Sequence, residues 1–194
     1  MTALLRPAVL IPIALVGVVV IGIGLYLFQP WKLFVDTTVN EASPLASVSA
    51  APAPPDPSSD QTTSAGETPV PAPTTSTSGP VVVSTGTFIS HEHGTTGTAQ
   101  VIRRGSGEHV LRIEGLDTSN GPDLHVWLTD APVIEGTDGW FVFDDGEYVD
   151  LGELKGNKGN QNYAIPSDVD LRELDSVSIW CERFSVSFGA AALA

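Results

Sequence analysis

The sequence is short of the residues that build disulfide-rich and metal-binding proteins. It contains one cysteine, Cys181, and one methionine, Met1, among its 194 residues. One cysteine cannot form an intramolecular disulfide or supply the Cys-x-x-Cys-His motif of a c-type haem. A blue-copper centre takes two histidines, one cysteine and often an axial methionine, which Met1 does not supply. A disulfide scaffold and a c-type haem are therefore excluded, and copper is disfavoured.

Positive charge is also scarce. No Lys or Arg lies between Lys32 and Arg103, and from residue 81 onward there are 18 acidic and 7 basic residues. This balance argues against a nucleic-acid partner and against binding to an anionic membrane surface. The Gly-x-Ser-x-Gly, His-Glu-x-x-His and Walker-type motifs are absent from the sequence as well. A stand-alone enzyme is therefore disfavoured.

A run without any charge occupies residues 8–28. About 20 apolar residues suffice to span a bilayer, whereas the apolar core of a signal peptide usually has about 7 to 15. Trp31 and Lys32 follow the run at the depth of the membrane interface. We expect residues 1–32 to hold a short N-terminus and one transmembrane helix, with a cleaved signal peptide as the alternative. The expected location is the plasma membrane, single-pass, with the C-terminal domain extracytoplasmic.

The composition changes sharply after this run. Of the 44 residues 37–80, 32 are Pro, Ser, Thr or Ala. Such a segment cannot bury enough apolar surface to offset the loss of chain entropy. We expect residues 33–80 to form a disordered linker that acts as a semi-stiff spacer and lifts the following domain off the membrane.

The remaining residues, 81–194, predict a single all-β domain. Short alternating segments are separated by turn signals such as Asn120-Gly121-Pro122 and Asp145-Gly146. About eight strands in this length predict an antiparallel β-sandwich or barrel. The segment "WFVFDD", residues 140–145, is one of the predicted strands. The break in alternation at Glu182-Arg183 indicates a bulge.

Strand alternation also makes a prediction for the lone cysteine. In "VSIWCE", Cys181 shares a face with Val177 and Ile179, so it is expected to point inward like a small hydrophobic residue. A redox role needs partial exposure and a lowered pKa, for which Arg183 is the nearest candidate charge. His91 and His93 are two residues apart and would share a face on a strand, which is a weak metal signal.

Four stretches together resemble the DM-thirteen domain family: "GTFISHEHGTTGTAQV", "LRIEGLDTSNGPDLHVWLTD", "DLGELKGNKGNQNYAIPSDVDL" and "SVSIWCERFSVSFGAAAL". Members of this family are associated with DOMON domains and described as electron-transfer modules. The resemblance implies that Cys181 is the family cysteine, proposed as a bare redox thiol or as a ligand of a group such as haem. The family histidine corresponds to His93. The anchored, Pro/Ser/Thr/Ala-linked arrangement resembles bacterial cell-surface proteins.

The leading hypothesis is a membrane-tethered extracytoplasmic domain that transfers electrons to a redox partner at the cell surface. Cys181 is the candidate redox residue, and Cys181, His93, Trp180 and Phe184 are the candidate cofactor-binding residues, with His125 as a possible helper. Haem is a possible cofactor, no metal site is predicted, and no nucleic-acid partner is expected. The rival hypothesis is a non-redox binding or adhesion module in which Cys181 is core packing.

Overall fold

The computed structural model describes residues 7–48 and 79–194. Helix α1 spans Pro7–Phe28, and 3-10 turns cover Pro30–Phe34, Pro44–Val48 and Thr137–Gly139. Ten strands lie within the described ranges. They are β1 (Thr38–Asn40), β2 (Val81–Thr87), β3 (Ile89–Ser90), β4 (Thr96–Arg103), β5 (His109–Asp117), β6 (Leu124–Thr129), β7 (Tyr148–Glu153), β8 (Lys158–Ile165), β9 (Ser176–Cys181) and β10 (Val186–Ala192).

The strands form two five-stranded sheets. Sheet A has the order β1-β8-β5-β4-β2, and sheet B has the order β3-β10-β9-β6-β7. The β1–β8 pair is parallel, and the other described pairs are antiparallel. The predicted all-β class is confirmed, and of the two architectures predicted the sandwich is the one observed. Ten strands instead of about eight result from β1 and β3, which have only 3 and 2 residues.

The main core lies between the sheets, as alternation predicts. On β6 and β9 the inward positions include Val126, Leu128, Val177 and Ile179, all fully buried. The opposite face of sheet B carries a second apolar cluster built around Trp127 and Trp180. Residues of the β6–β7 connection pack on this cluster, namely Ala131, Val133, Val142 and Phe143. Sheet B is therefore covered on both faces.

Two local predictions were wrong. Residues 140–145 are turns and bends in the β6–β7 connection rather than a strand, because Phe143 is buried against Trp180 outside sheet B. Glu182-Arg183 is not a bulge within one strand. These residues belong to the turn that joins β9 to β10, and Ser185 completes that turn with a left-handed φ of 47°.

Part of the predicted linker joins the domain. Thr38 and Asn40 of β1 lie opposite Lys158 and Asn160 of β8. The buried Asn157 side chain accepts a hydrogen bond from the Thr37 backbone N–H at 2.7 Å. It also donates hydrogen bonds to the Asp36 carboxylate and to the Thr118 carbonyl, each at 2.8 Å. Residues 36–42 therefore belong to the sandwich, while residues 1–6 of the predicted N-terminus and 49–78 of the predicted linker lie outside the described residues.

The sandwich does not cover the apolar window of helix α1. In its window Ile11–Phe28, a described segment with a mean hydropathy of 2.6, no residue is buried inside the protein. A helix that is apolar on all sides and uncovered is typical of a membrane span or of a signal sequence. α1 is a candidate for either.

The attachment of β1 predicts an unequal response to two glycine substitutions. Gly159 and Gly152 both have positive φ values, of 97° and 114°. A Cβ at Gly159 would lie 2.1 Å from the Val39 carbonyl oxygen of β1, whereas one at Gly152 would meet nothing within 4 Å. We expect Gly152→Ala to lose about 1–2 kcal/mol of stability from backbone strain alone. Gly159→Ala should lose more and release β1.

Chemical unfolding of both variants in detergent micelles measures the difference, and limited proteolysis reports whether residues 29–42 become accessible. Equal losses of stability, with the same proteolytic pattern, would show that β1 is not held where the structure places it.

Candidate functional site

An apolar pocket lies where the C-terminal end of α1 meets the sandwich. Its volume is about 500 Å³, within the range of about 300–1,000 Å³ that small-molecule sites occupy. The polar residues in its lining are Gln29, Lys32, Glu92 and His93. Aromatic rings supply much of the remaining wall, namely Phe28, Trp140, Phe141, Phe184 and Phe188. The pocket is therefore an apolar site with a few polar groups.

The aromatic walls are paired across different elements. Phe28, the last residue of α1, stacks on Phe184 with ring centroids 5.8 Å apart and an interplanar angle of 20°. His93 lies against Phe188, with ring centroids 4.0 Å apart. Aromatic rings pack well against other flat rings. The walls of this pocket would therefore accommodate the planar ring of a ligand.

Local backbone structure explains why these side chains converge. The β9–β10 turn projects Phe184 outward, so that it is 43% exposed, and β10 then carries Val186 and Phe188 along the pocket floor. The chain after β3 is held beside β10, because the His91 and Glu92 backbone N–H groups donate to the carbonyls of Phe188 and Ser187. This places His93 over the pocket.

Cys181 lies behind the pocket wall rather than in it. Its side chain is 0% exposed and packs in the main core, facing Leu124 of β6 and Val186 of β10. Val186 and Phe184 both line the pocket, and the Phe184 backbone N–H donates to the Cys181 carbonyl at 3.2 Å. One layer of side chains therefore separates the sulfur from the pocket.

The thiol is held in its neutral form. Burial raises the pKa of the Cys181 thiol above its ordinary value, and hydrogen bonds from the backbone N–H groups of Phe184 and Arg183 lower it only in part. A neutral, sealed thiol is a poor nucleophile and a poor metal ligand, because both roles need the thiolate. The geometry thus matches the inward position that alternation predicts for Cys181.

The other candidate residues separate into two groups. Phe184 and His93 meet at the pocket. Trp180 is buried on the opposite face of sheet B, where its ring lies 5.1 Å from Trp127 and 6.2 Å from Phe143. The structure therefore brings His93, Phe184 and Cys181 into one neighbourhood and places Trp180 in the second apolar cluster.

The two histidines of "SHEHG" do not share a face, because they follow β3 in a bend rather than lying on a strand. His91 is buried, with its ring nitrogens bonded to Ser187 Oγ at 2.9 Å and to the Ile134 carbonyl at 3.1 Å. Burial lowers the pKa of His91 and favours its neutral form, although the contact with Ile134 opposes this. His91 is structural, and His93 is the one that reaches the pocket.

Arg183 lowers the pKa of Cys181 by less than burial raises it, and its guanidinium is held by other partners. Its Nη1 donates to the Leu27 carbonyl at 2.7 Å, and its Nη2 lies 3.7 Å from the Asp123 carboxylate. A cation at the last turn of a helix satisfies a free carbonyl and complements the helix dipole. Arg183 therefore holds the C-terminal end of α1 against the β9–β10 turn.

Sequence reasoning did not identify Phe28, Phe141 or Lys32 as site residues. Phe28 is the last residue of the apolar run, and Lys32 follows that run at the predicted membrane interface. Phe141 lay in a segment predicted as a strand. Their convergence depends on contacts between α1 and the sandwich, for which no local sequence signal exists.

His125 forms a separate cluster. Its Nδ1 is 2.9 Å from the Asp150 carboxylate, and its ligand atom, that of Asp150 and that of Glu182 lie within 4.8 Å of one another. These residues lie near the ends of β6, β7 and β9, apart from the pocket-lining set. Asp150 also accepts the Gly152 backbone N–H at 2.8 Å, which occupies part of its bonding capacity.

The residues fit haem only in part. Cys181 is not among the described residues that line the pocket, so an iron held there could not reach its sulfur without displacing Phe184 or Val186. His93 does reach the pocket, and imidazole is a common axial ligand of haem iron. Thiolate ligation by Cys181 does not fit this arrangement. His93 Nε2 lies 2.5 Å from the Glu92 carboxylate, so ligation by His93 fits through Nδ1, or through Nε2 once it leaves Glu92.

Comparison with known proteins identifies a family for most of the sandwich. A family model described as Electron transfer DM13 matches residues 87–193. Comparison with curated proteins and with solved structures gives no match. The matched range contains Cys181, His93 and Phe184 and begins after β1 and most of β2.

The burial of Cys181 predicts slow thiol chemistry. In the native full chain, a maleimide reagent should label Cys181 far more slowly than a cysteine introduced at the exposed Ser106, because thiol reactivity follows the accessible thiolate fraction. Denaturant should make the two rates similar. Mass spectrometry of labelling time courses for the natural chain and Ser106→Cys tests this, and rapid native labelling of Cys181 would contradict it.

Proposed function

This chain belongs to the Electron transfer DM13 family, and on that premise we propose that it is an electron-transfer domain held at the outer face of the plasma membrane by α1. Its exchange site is the pocket between the end of α1 and the β9–β10 turn, and its redox partner is another component of the cell surface.

The observation that carries this proposal is the position of the pocket. It is walled by aromatic rings, it receives the imidazole of His93, and it lies one side-chain layer from the family cysteine. An apolar, water-poor site strengthens the electrostatic effect of each polar group on a bound carrier. A redox carrier in this pocket would therefore be tuned by His93, Glu92 and Lys32.

Membrane attachment is supported by α1. Its 18-residue apolar window is uncovered within the described residues, and Arg183 and Phe184 bind its C-terminal end to the domain. A cleaved signal peptide would remove Phe28 from the pocket wall. Retention of α1 keeps the pocket intact, which favours the anchored form.

We assign Cys181 the role of redox residue behind the pocket wall. Because its pKa is raised, Cys181 enters the chemistry as a thiol. One-electron oxidation of a thiol releases a proton with the electron, so the electron passes through the wall to the carrier and the proton must pass to a base, for which the carboxylate of Glu92 in the pocket lining is the candidate. If haem is the carrier, His93 is the residue that would hold it, and haem would accept the electron alone in a reversible one-electron couple.

One observation favours a second function, a non-redox binding module. Cys181 is fully buried in an apolar core with a raised pKa, which is the ordinary state of a cysteine that packs as a small hydrophobic residue. In that case the pocket binds a ligand and the sulfur takes no part.

Removal of the sulfur distinguishes the two functions. We expect Cys181→Ala in the purified full chain to abolish or shift its midpoint potential while costing only about 1 kcal/mol of stability, as for the loss of one buried heavy group. The matched control is Val177→Ala, which truncates a buried residue on the same face of β9 without touching sulfur.

Voltammetry and the visible spectrum of the natural chain and both variants provide the measurement. If Cys181→Ala leaves the midpoint potential unchanged, the cysteine has no redox role and the binding module is favoured.

A further inference from the structure

We propose that the pocket opens onto the bilayer surface and takes a membrane-soluble quinone, which has an uncharged planar head and an apolar tail. The domain then sits on the membrane rather than above it on a spacer. This inference rests on the proposed function and names the class of carrier that the pocket would take.

The tether between α1 and the sandwich is short. α1 ends at Phe28 and β1 begins at Thr38, so residues 29–37 are the nine residues that join the helix to the sandwich. Fully extended, they would reach about 30 Å, and Pro30–Phe34 is coiled into a 3-10 turn that shortens them. The Pro/Ser/Thr/Ala-rich residues 49–78 follow β1 in the chain, so they do not set the height of the domain.

β1 and its flanking residues are attached to sheet A by ion pairs and hydrogen bonds. Lys158 Nζ lies 3.2 Å from the Asp36 carboxylate, and Lys155 Nζ lies 2.8 Å from the Glu41 carboxylate. The buried Arg112 donates to the Glu41 carbonyl at 3.1 Å. Ionic and backbone bonds on both sides of β1 fix the point at which the tether meets sheet A.

The C-terminal end of α1 also contacts the sandwich directly. Besides the Arg183 contact with the Leu27 carbonyl and the stacking of Phe28 on Phe184, Lys32 Nζ donates to the Pro122 carbonyl at 3.5 Å. Asn120 donates to the Val35 carbonyl at 3.1 Å. The pocket is therefore held at the point where α1 would leave the bilayer.

The pocket rim has the composition of a membrane interface. Phe28, Phe141 and Phe184 of the lining are 59%, 54% and 43% exposed, and Trp31, which lies between the lining residues Pro30 and Lys32 in the chain, is 51% exposed. Trp is enriched at the headgroup level of membranes, and Phe and Trp form the apolar faces of elements that lie in the interface. Inserting these rings into the interface would cover apolar surface that otherwise faces water.

The residues of the pocket lining determine which ligand head group fits. Aromatic walls suit a flat ring. Lys32 Nζ makes one long hydrogen bond, at 3.5 Å to the Pro122 carbonyl, and keeps N–H groups for a ligand carbonyl, whereas His93 Nε2 is paired with the Glu92 carboxylate at 2.5 Å. Glu92 in the same lining, together with the acidic domain as a whole, disfavours a phosphate or carboxylate head. A quinone offers two uncharged carbonyl acceptors on a planar ring, whereas an anionic phospholipid does not.

The first test measures height above the bilayer. The full chain is placed in phosphatidylcholine nanodiscs with a dye at Ser106→Cys and an acceptor on the lipid headgroups. Deleting residues 56–70 should leave the energy-transfer efficiency unchanged, because that segment follows β1. The matched control inserts 15 Gly/Ser residues after Val35, in the tether itself, and should lower the efficiency. A deletion that raises the efficiency would restore the spacer model and overturn the inference.

The second test measures the ligand. Binding of a naphthoquinone with an apolar tail to the nanodisc-held chain is followed by quenching of tryptophan fluorescence, since Trp140 lines the pocket. Phe184→Ala should weaken binding about tenfold, or about 1.4 kcal/mol. Tyr148→Ala removes an aromatic residue of β7 that is 45% exposed and outside the pocket-lining set, so its affinity should match the natural chain.

The outcomes separate this inference from the proposed function. Equal affinities of Phe184→Ala and Tyr148→Ala, or a Soret band showing haem in the purified chain, would overturn the quinone assignment. If quinone binding is absent but the chain keeps a midpoint potential that Phe184→Ala shifts, electron transfer at the pocket stands and only the carrier is wrong. If neither is observed, both proposals fail.

Discussion

The pairing of β1 with β8 is the interaction on which the position of the pocket depends. Three residues, Thr38–Asn40, add a parallel strand to the edge of sheet A, and the buried Asn157 and the ion pairs of Asp36 and Glu41 hold the flanking chain. Because this attachment comes nine residues after α1, it fixes the helix end at the sandwich. Without it, only the direct contacts of Arg183, Lys32 and Asn120 would keep Phe28 against Phe184, and this wall of the pocket would be less firmly held.

The accessible groups of the site and the buried cysteine lie in two different places. His93 and Phe184 are accessible at the pocket, while Cys181 is sealed one layer below, with a raised pKa. Electron transfer does not require the donor atom to be exposed, whereas thiolate chemistry and metal ligation do. The arrangement is therefore compatible with a sulfur that exchanges electrons through the wall, and it argues against a sulfur that reacts with or ligates anything in the pocket.

Short alternating segments and turn signals predicted an all-β sandwich or barrel, and alternation predicted the inward position of Cys181, because Val177, Ile179 and Cys181 follow the period of a strand. It could not predict β1, a three-residue strand in a Pro/Ser/Thr/Ala-rich segment whose partner Lys158 is 120 residues away. It could not show that the β6–β7 connection covers the face of sheet B that carries Trp180. The pocket was missed because Phe28 and Phe141 come from segments predicted as a membrane span and a strand.

The central claim is that residues 36–42 are part of the folded sandwich and hold the pocket at the end of α1. Amide hydrogen exchange of the full chain in nanodiscs tests it most directly. The account predicts that the amides of Val39, Glu41 and Lys158 that bond across the β1–β8 edge exchange with similar, strong protection. Exchange of residues 36–42 at the rate of an unstructured peptide, with β8 still protected, would contradict it.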